Sequence, residues 1–251
     1  MSRTPDVTAI LTAHAEGKLA ATSLVSFERA IAEARQAGLV VEGLIVLDRA
    51  DASTRAQFAG VEPRFRVIMT DEGDPGQARN AGVAAAEGRF VTFLDGDDLW
   101  SSNWIVLAYR LCAAEPDKVI AHSEVNIVFG VERHMWWHAD SRLPGFDPTY
   151  LRIGNYWDAM SCAARALFQR FPFVANDLRL GFGHEDWHWN CVTLVAGIDH
   201  RPAIGTAHFK RKRPGSQMAK CNAISAAPWI TPLTSYEWTG RPADTQLKRG
   251  V

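Results

Sequence analysis

Four short runs constrain this chain more than anything else in it: Val7–Thr12 (VTAILT), Val40–Leu47 (VVEGLIVL), Phe65–Met69 (FRVIM) and Phe90–Leu94 (FVTFL). Each is largely apolar and rich in β-branched or aromatic residues, which predicts strands buried on both faces. Between the first two, Leu19, Leu24, Phe27, Ala30, Ile31 and Ala34 recur at helical spacing across Lys18–Ala37 until Gly38 stops the helix. Between the last two, Gly76–Glu87 reads as a second helix. Strands covered on both faces and separated by helices predict an α/β fold with a mainly parallel central sheet. Ligands bind such sheets beyond the carboxyl ends of the strands, which directs attention to His14, Asp48, the Asp71–Gly76 loop and Asp95–Asp98.

Beyond about residue 105 the pattern changes. A helix over Asn103–Ala114 precedes a strand-like stretch, Val119–Phe129, and then a Trp-, His-, Pro- and Gly-rich region without periodicity to about Asn155. Ala159–Phe168 is expected as a further strand-like piece, a helix as starting near Glu185, and Lys210–Gly215 (KRKRPG) as a basic turn. Pro228, Pro232 and Pro242 give the last thirty residues the character of a tail or linker. The divisions expected are 1–105 and 106–220 as two halves of one domain, with 221–251 as the tail.

The 251 residues, 47% of them hydrophobic, suffice for a sizeable core. With 27 Lys and Arg against 28 Asp and Glu, the chain lacks the positive field of most nucleic-acid binders, so no nucleic-acid partner is expected. Cys112, Cys162, Cys191 and Cys221 have no zinc-finger or disulfide spacing and read as reduced thiols. No apolar run reaches a membrane span of about 20 residues, and the polar start, Met1–Asp6, is unlike a signal sequence. A cytoplasmic location is expected, with peripheral association at the inner face of a membrane left open. Nine Trp include the pairs Trp136/Trp137 and Trp187/Trp189, suited equally to core packing and to ligand stacking.

The sharpest local signal is Phe93-Leu94-Asp95-Gly96-Asp97-Asp98, a strand running into three carboxylates. Crowded acids at a strand end are unfavourable unless a cation is held there. Asp95 and Asp97 can point the same way, and hard oxygen ligands suit Mg²⁺ or Mn²⁺ shared with a substrate's phosphates. A calcium loop fails, because Leu99 and Trp100 stand where a ligand and a glycine are needed. A second signal, Asp74-Pro75-Gly76-Gln77-Ala78-Arg79-Asn80-Ala81-Gly82, opens a helix beside an arginine, an arrangement that suits an anion or an ion pair.

Ala78–Gly82, Ala86–Asp98 and Gly183-His184-Glu185-Asp186-Trp187, in that order, resemble the motifs of the inverting nucleotide-sugar glycosyltransferases of family 2. Thr8–His14, Ile45–Thr54 and Phe209–Met218 extend the resemblance over roughly residues 7–218. It implies a GT-A fold with a Rossmann-like sheet and an acceptor-binding C-terminal half. It further implies a divalent metal, a nucleoside diphosphate sugar donor and a glycan or glycoconjugate acceptor. On this resemblance Asp97 is the metal ligand of the DXD motif, and Asp95 contacts the donor's ribose or the metal. Asp48 reads the base, and His14, Arg79 and Arg211 belong to the donor site. Asp186 is the catalytic base, Glu185 orients acceptor or base, and His208 is a further metal or diphosphate ligand. The basic run Lys210–Arg213 is expected as a lid over the diphosphate. Arg49 departs from the family's usual second Asp, and Ala13 and His14 from its Pro and Asn, which leaves the nucleotide base open. The short remainder past residue 220 leads to the expectation of a soluble acceptor or of a partner that supplies acceptor binding.

Two rival readings stand beside this one. His184-Glu185-Asp186-Trp187-His188 matches the zinc-protease pattern, but a third ligand is missing where Cys191 and Leu194 stand. A non-catalytic sugar-binding module would have little use for Asp95, Asp97 and Asp186 together. His134 and His138 could pair on a helix as metal ligands, or with Trp136 and Trp137 line an acceptor cleft in the 130–155 region.

Overall fold

The computed structural model describes residues 4–234; the expectation for 235–251, and the first residues of the polar start, lie outside them. The four apolar runs form β1 (Val7–Ala13), β2 (Val41–Asp48), β3 (Arg66–Thr70) and β4 (Phe90–Asp95), all parallel, in the order β3-β2-β1-β4. The helix predicted from periodicity is α1 (Leu19–Gln36), and the buried Ala20, Ser23, Phe27, Ala30, Ile31 and Ala34 follow its inner face. After the short α2 (Ala52–Gln57) comes α3 (Pro75–Ala85), whose start has a local cause: the Asp74 side chain accepts from the Gln77 N–H at 3.0 Å, and Pro75 takes the first turn.

The second half continues the same sheet. After the two-residue β5 (Leu99–Trp100) and α4 (Trp104–Ala114) come β6 (Val119–Gly130), β7 (His134–Trp137), β8 (Cys162–Ala164), α5 (Arg165–Arg170), α6 (Glu185–Val195), β9 (Asp199–Lys212) and α7 (Gln217–Ala223). β8 pairs antiparallel with β4 and with β6, joining the halves into one sheet ordered β3-β2-β1-β4-β8-β6-β9-β5, with β7 on β6. This is the expected mixed α/β architecture. The main core runs from Val7 and Leu44 through Phe93 and Trp104 to Ala163 and Trp189, and a smaller cluster of Leu151, Trp157, Cys191, Leu194 and Leu233 lies beside α6.

Four expectations are corrected. Ala159–Phe168 is not one strand, because Leu167 and Phe168 are buried by turning helically in α5 after three residues of β8. His134 and His138 lie on and just beyond the strand β7, so they cannot pair at helical spacing; His134 is exposed and His138 is buried. Lys210–Lys212 extend β9, and only Pro214 and Gly215 turn. Residues 217–234 dock rather than trail: Trp229 stacks on Phe182 with ring centroids 4.0 Å apart, and Leu233 is fully buried. The tryptophans mostly pack. Trp104, Trp157 and Trp189 are fully buried, whereas Trp137 is 60% exposed. All four cysteines are buried and free. No described helix is long and apolar enough to cross a membrane.

Candidate active site

The carboxyl ends of β1, β2 and β4 meet the start of α6 and the end of β9 around one cleft of about 330 Å³. That size falls within the range of small-molecule sites. His14, Asp48, Arg79, Asp95, Asp97, Glu185, Asp186 and Arg211, predicted from distant parts of the chain, all line it. His208 does not. Its ring is fully buried, sits edge-on to Trp104 at 4.4 Å, and lies 3.9 Å from Asp158. None of the described residues 130–155 lines the cleft either.

The residues at the ends of β1 and β2 are held by short polar contacts. Asp48 is 5% exposed: its Oδ1 accepts from the Thr70 hydroxyl at 2.9 Å and the Glu72 N–H at 2.7 Å, and its Oδ2 accepts from the Gly73 N–H at 2.8 Å. The carboxylate thus fixes the 71–73 loop that forms the cleft wall. The Asp48 carbonyl accepts from His14 Nδ1 at 2.6 Å, which assigns the ring proton to that nitrogen. Gly96 brings the β4 end close to β1, since a Cβ there would lie 2.9 Å from the Thr12 carbonyl oxygen.

Arg79 is the centre of the site and is only 3% exposed. One nitrogen donates to Asp95 Oδ1 at 2.7 Å and the other to Glu185 Oε1 at 2.8 Å. The partners hold the guanidinium firmly charged despite its burial. Glu185 also accepts from Asn176 Nδ2 at 3.0 Å, and Asn176 reaches Asp74 Oδ2 at 2.8 Å. A polar chain, Asp74-Asn176-Glu185-Arg79-Asp95, therefore ties the starts of α3 and α6 to the end of β4. Nothing in the sequence around Asn176 signals this part. The link from Asp95 through Arg79 to Glu185, ninety residues further on, is legible only in three dimensions.

The start of α6 has no side-chain cap; His184 precedes it in a left-handed conformation, φ 58° and ψ 58°. Glu185 and Asp186 fill the first turn, where the helix dipole favours acids. Asp186 is nonetheless pushed up to about 7, mainly because surrounding protein desolvates it and secondly because Glu185 lies beside it; Lys210 and Arg79 oppose the shift. The left-handed His184 stands outside the helix that carries His188. Among the described residues no three His, Cys, Asp or Glu come together as a metal-holding group, and the zinc-protease pattern is not assembled.

β9 supplies the cations. Lys210, 9% exposed, places Nζ 3.7 Å from Asp98 and 3.6 Å from Asp158, and these two carboxylates outweigh its burial and hold it charged. Burial pushes Asp98 well up, although it accepts from the Arg211 N–H at 2.6 Å. Arg213 pairs with Asp97 and stands 3.4 Å from Glu16. The basic run is thus partly inside the site rather than a free lid. Alternation along the run, KRKR, carries the signal: every second side chain of a strand turns the same way.

A Rossmann-like sheet of this order is the fold of the GT-A class, and solved structures share it. S. aureus TarS 1–349 in complex with UDP-GlcNAc has a TM-score of 0.54 at 16% identity, covering 84% of this chain and 60% of that one. The mannosyltransferase PcManGT of Pyrobaculum calidifontis, in complex with GDP-Man and Mn²⁺, has a TM-score of 0.59 at 16% identity, covering 87% and 60%. At this identity the likeness shows the fold. The family described as "Glycosyl transferase family 2" matches residues 9–175, and the chain belongs to it. Within 100 residues it is 39% identical to the succinoglycan biosynthesis protein ExoO of Rhizobium meliloti, over 39% of this chain and 27% of that protein. The match thus spans about a quarter of this curated relative.

Proposed function

We propose that this glycosyltransferase is a metal-dependent, inverting enzyme that moves a sugar from a nucleoside diphosphate donor to a glycan or glycoconjugate hydroxyl, with Asp186 as general base. The observation that carries the reading is Asp186 itself: a cleft carboxylate raised to about 7, close to the operating pH at which a base is most effective. Asp186 takes the acceptor proton as the hydroxyl oxygen attacks the anomeric carbon. The bond to the diphosphate breaks from the opposite face, so configuration inverts. Glu185, fixed by Arg79 and Asn176, orients the turn that presents the base.

The donor set fits a hard cation shared with a diphosphate. Asp97 offers carboxylate oxygens beside Asp95, and one of them already carries the Arg213 guanidinium as a stand-in cation. Asp97, with Asp95 alongside, would hold Mn²⁺ or Mg²⁺, the remaining ligands coming from the donor. When bound, such an ion neutralises charge on the departing diphosphate. His208 has no part in this reading, because its buried ring faces Trp104 and Asp158. His14 and the Asp48-held loop form the nucleoside side, and Arg211 and Arg213 approach the diphosphate.

The test is Asp186→Asn. Transfer is expected to fall by about 10² to 10⁴, the contribution of a positioned base, while nucleoside diphosphate affinity stays near wild type in a thermal-shift titration with Mn²⁺. Transfer at the wild-type rate would sink the base assignment. A thermal-shift screen over the common nucleoside diphosphates identifies the base by selective stabilisation.

A further inference from the structure

The basic run divides by the pleat of β9 into two sets that face different parts of the cleft. Arg211 and Arg213 belong to the metal side. Arg211 donates from Nε to the Asp97 carbonyl at 3.1 Å and stacks on Phe129 at 4.4 Å, and Arg213 pairs with Asp97. Lys210 and Lys212 share the other direction, towards Asp98, Asp158 and Asp186. Most of these cations have a carboxylate at ion-pair distance: Arg79 has Asp95 and Glu185, Lys210 has Asp98 and Asp158, Arg213 has Asp97 and Glu16. Lys212 and Arg211 have none among the described residues; Arg211 is held by the Asp97 carbonyl and the Phe129 ring, whereas the half-buried Lys212 ammonium meets only the Met218 thioether.

An ammonium partly withdrawn from water with no carboxylate at ion-pair distance is unfavourable: Glu132, Asp98 and Asp186 act on Lys212 only from farther away, and desolvation with Lys210 nearby lowers its pKa, as an unfilled anion site would. Its position says which anion. Lys212 pairs in register with Gly130, and its carbonyl accepts from the Val131 N–H at 3.1 Å, so it stands where β6 leaves the cleft. It lies on the base's side of the pleat and not on that of Asp97. We infer that Lys212 is a specificity residue for the acceptor, selecting a sugar that carries a phosphate or carboxylate besides the hydroxyl deprotonated by Asp186. This inference rests on the glycosyltransferase reading above and names the acceptor's chemical class.

Calorimetry on the full chain, saturated with Mn²⁺ and the nucleoside diphosphate it selects, tests the assignment. Glucose 6-phosphate, glucuronate and glucose are titrated into wild type, Lys212→Met and Lys212→Arg. The two acids are expected to bind wild type about tenfold more tightly than glucose, the scale of one charge-assisted contact. Lys212→Arg keeps that advantage, Lys212→Met loses it, and nucleoside diphosphate affinity is unchanged in both. Equal binding of acids and glucose by wild type overturns the inference, as does an advantage that survives in Lys212→Met. So does a tenfold loss of nucleoside diphosphate affinity in Lys212→Met, which assigns the lysine to the donor. If Lys212→Met does not fold, Lys212→Gln replaces it with the same outcomes. Wild type that binds no nucleoside diphosphate at all refutes the donor reading instead, so the two failures are separable.

Discussion

Replacing Arg79 with Met removes one cation and strands two acids. Arg79 is 3% exposed and the Glu185 side chain 9% exposed, while Asp95 is shielded except for a quarter of its side chain. Solvent can therefore relieve little of the resulting charge. Breaking a buried pair by removing one partner costs about 3–5 kcal/mol, and for a chain of this size each kcal/mol moves Tm by roughly 2–4 °C. The expected fall is thus about 6–20 °C by calorimetry. A second readout separates a role in the site from mere packing. Arg79 holds the pKa of Asp186 down, so its loss moves the acid limb of the transfer rate to higher pH. Arg79→Lys keeps the charge but cannot span both carboxylates, and should recover the pH limb more fully than the stability. In a double-mutant cycle, Glu185→Gln should cost less in the Arg79→Met background than in wild type, because there it removes a carboxylate that has already lost its cation. A Tm within 2 °C of wild type for Arg79→Met, with an unmoved acid limb, would refute the view that Arg79 and its two acids form a charged clamp.

Two further predictions concern stability. His138 is buried and pushed down to about 4 by desolvation, against the opposing charge of Asp158. Its Nδ1 donates to the Ser123 carbonyl at 2.8 Å, so Nε2 is left as the acceptor of the neutral ring. The unfolded chain takes up this proton below about 6.5 and the folded one only near 4, so stability falls as pH drops between them, by about 3 kcal/mol at most from this residue. Urea unfolding at pH 7 and pH 5 measures it, and a His138→Gln protein with an undiminished slope contradicts the assignment. Gly88 packs where a Cβ would lie 2.4 Å from the Thr8 nitrogen, a backbone atom that cannot swing away. Gly88→Ala should therefore force β1 and β4 apart and lower Tm by several degrees, about 1–3 kcal/mol of overpacking.

What the sequence made legible follows from where its physics is local. Strands β1 to β4 could be read because each is apolar on both faces, and α3 because Asp74 and Pro75 start it within four residues. The acids of the cleft stood out for the same reason: Asp95–Asp98 crowd one strand end, and Glu185 and Asp186 share one helical turn. Long-range effects left weaker traces. β8 is three residues long and exists because β4 and β6 need a strand between them, which no period within 162–164 can announce. The basic run looked like a turn because four charges seldom enter a sheet, yet Lys210 is accommodated by Asp98 from the β4–β5 connection and by Asp158 from a loop. His208 illustrates the opposite error. A histidine next to a basic run has the chemistry of a ligand, but His208 lies two residues deeper on the face of β9 that carries Lys210, where its ring packs against Trp104 and stays outside the cleft that Lys210 lines. The pleat of β9 puts His208 on the same face as Lys210 and Lys212 and sorts all three from Arg211, so depth along the strand decides that the histidine packs inside while the lysines reach the cleft, a distinction that a two-residue period in the sequence cannot make until the strand is known.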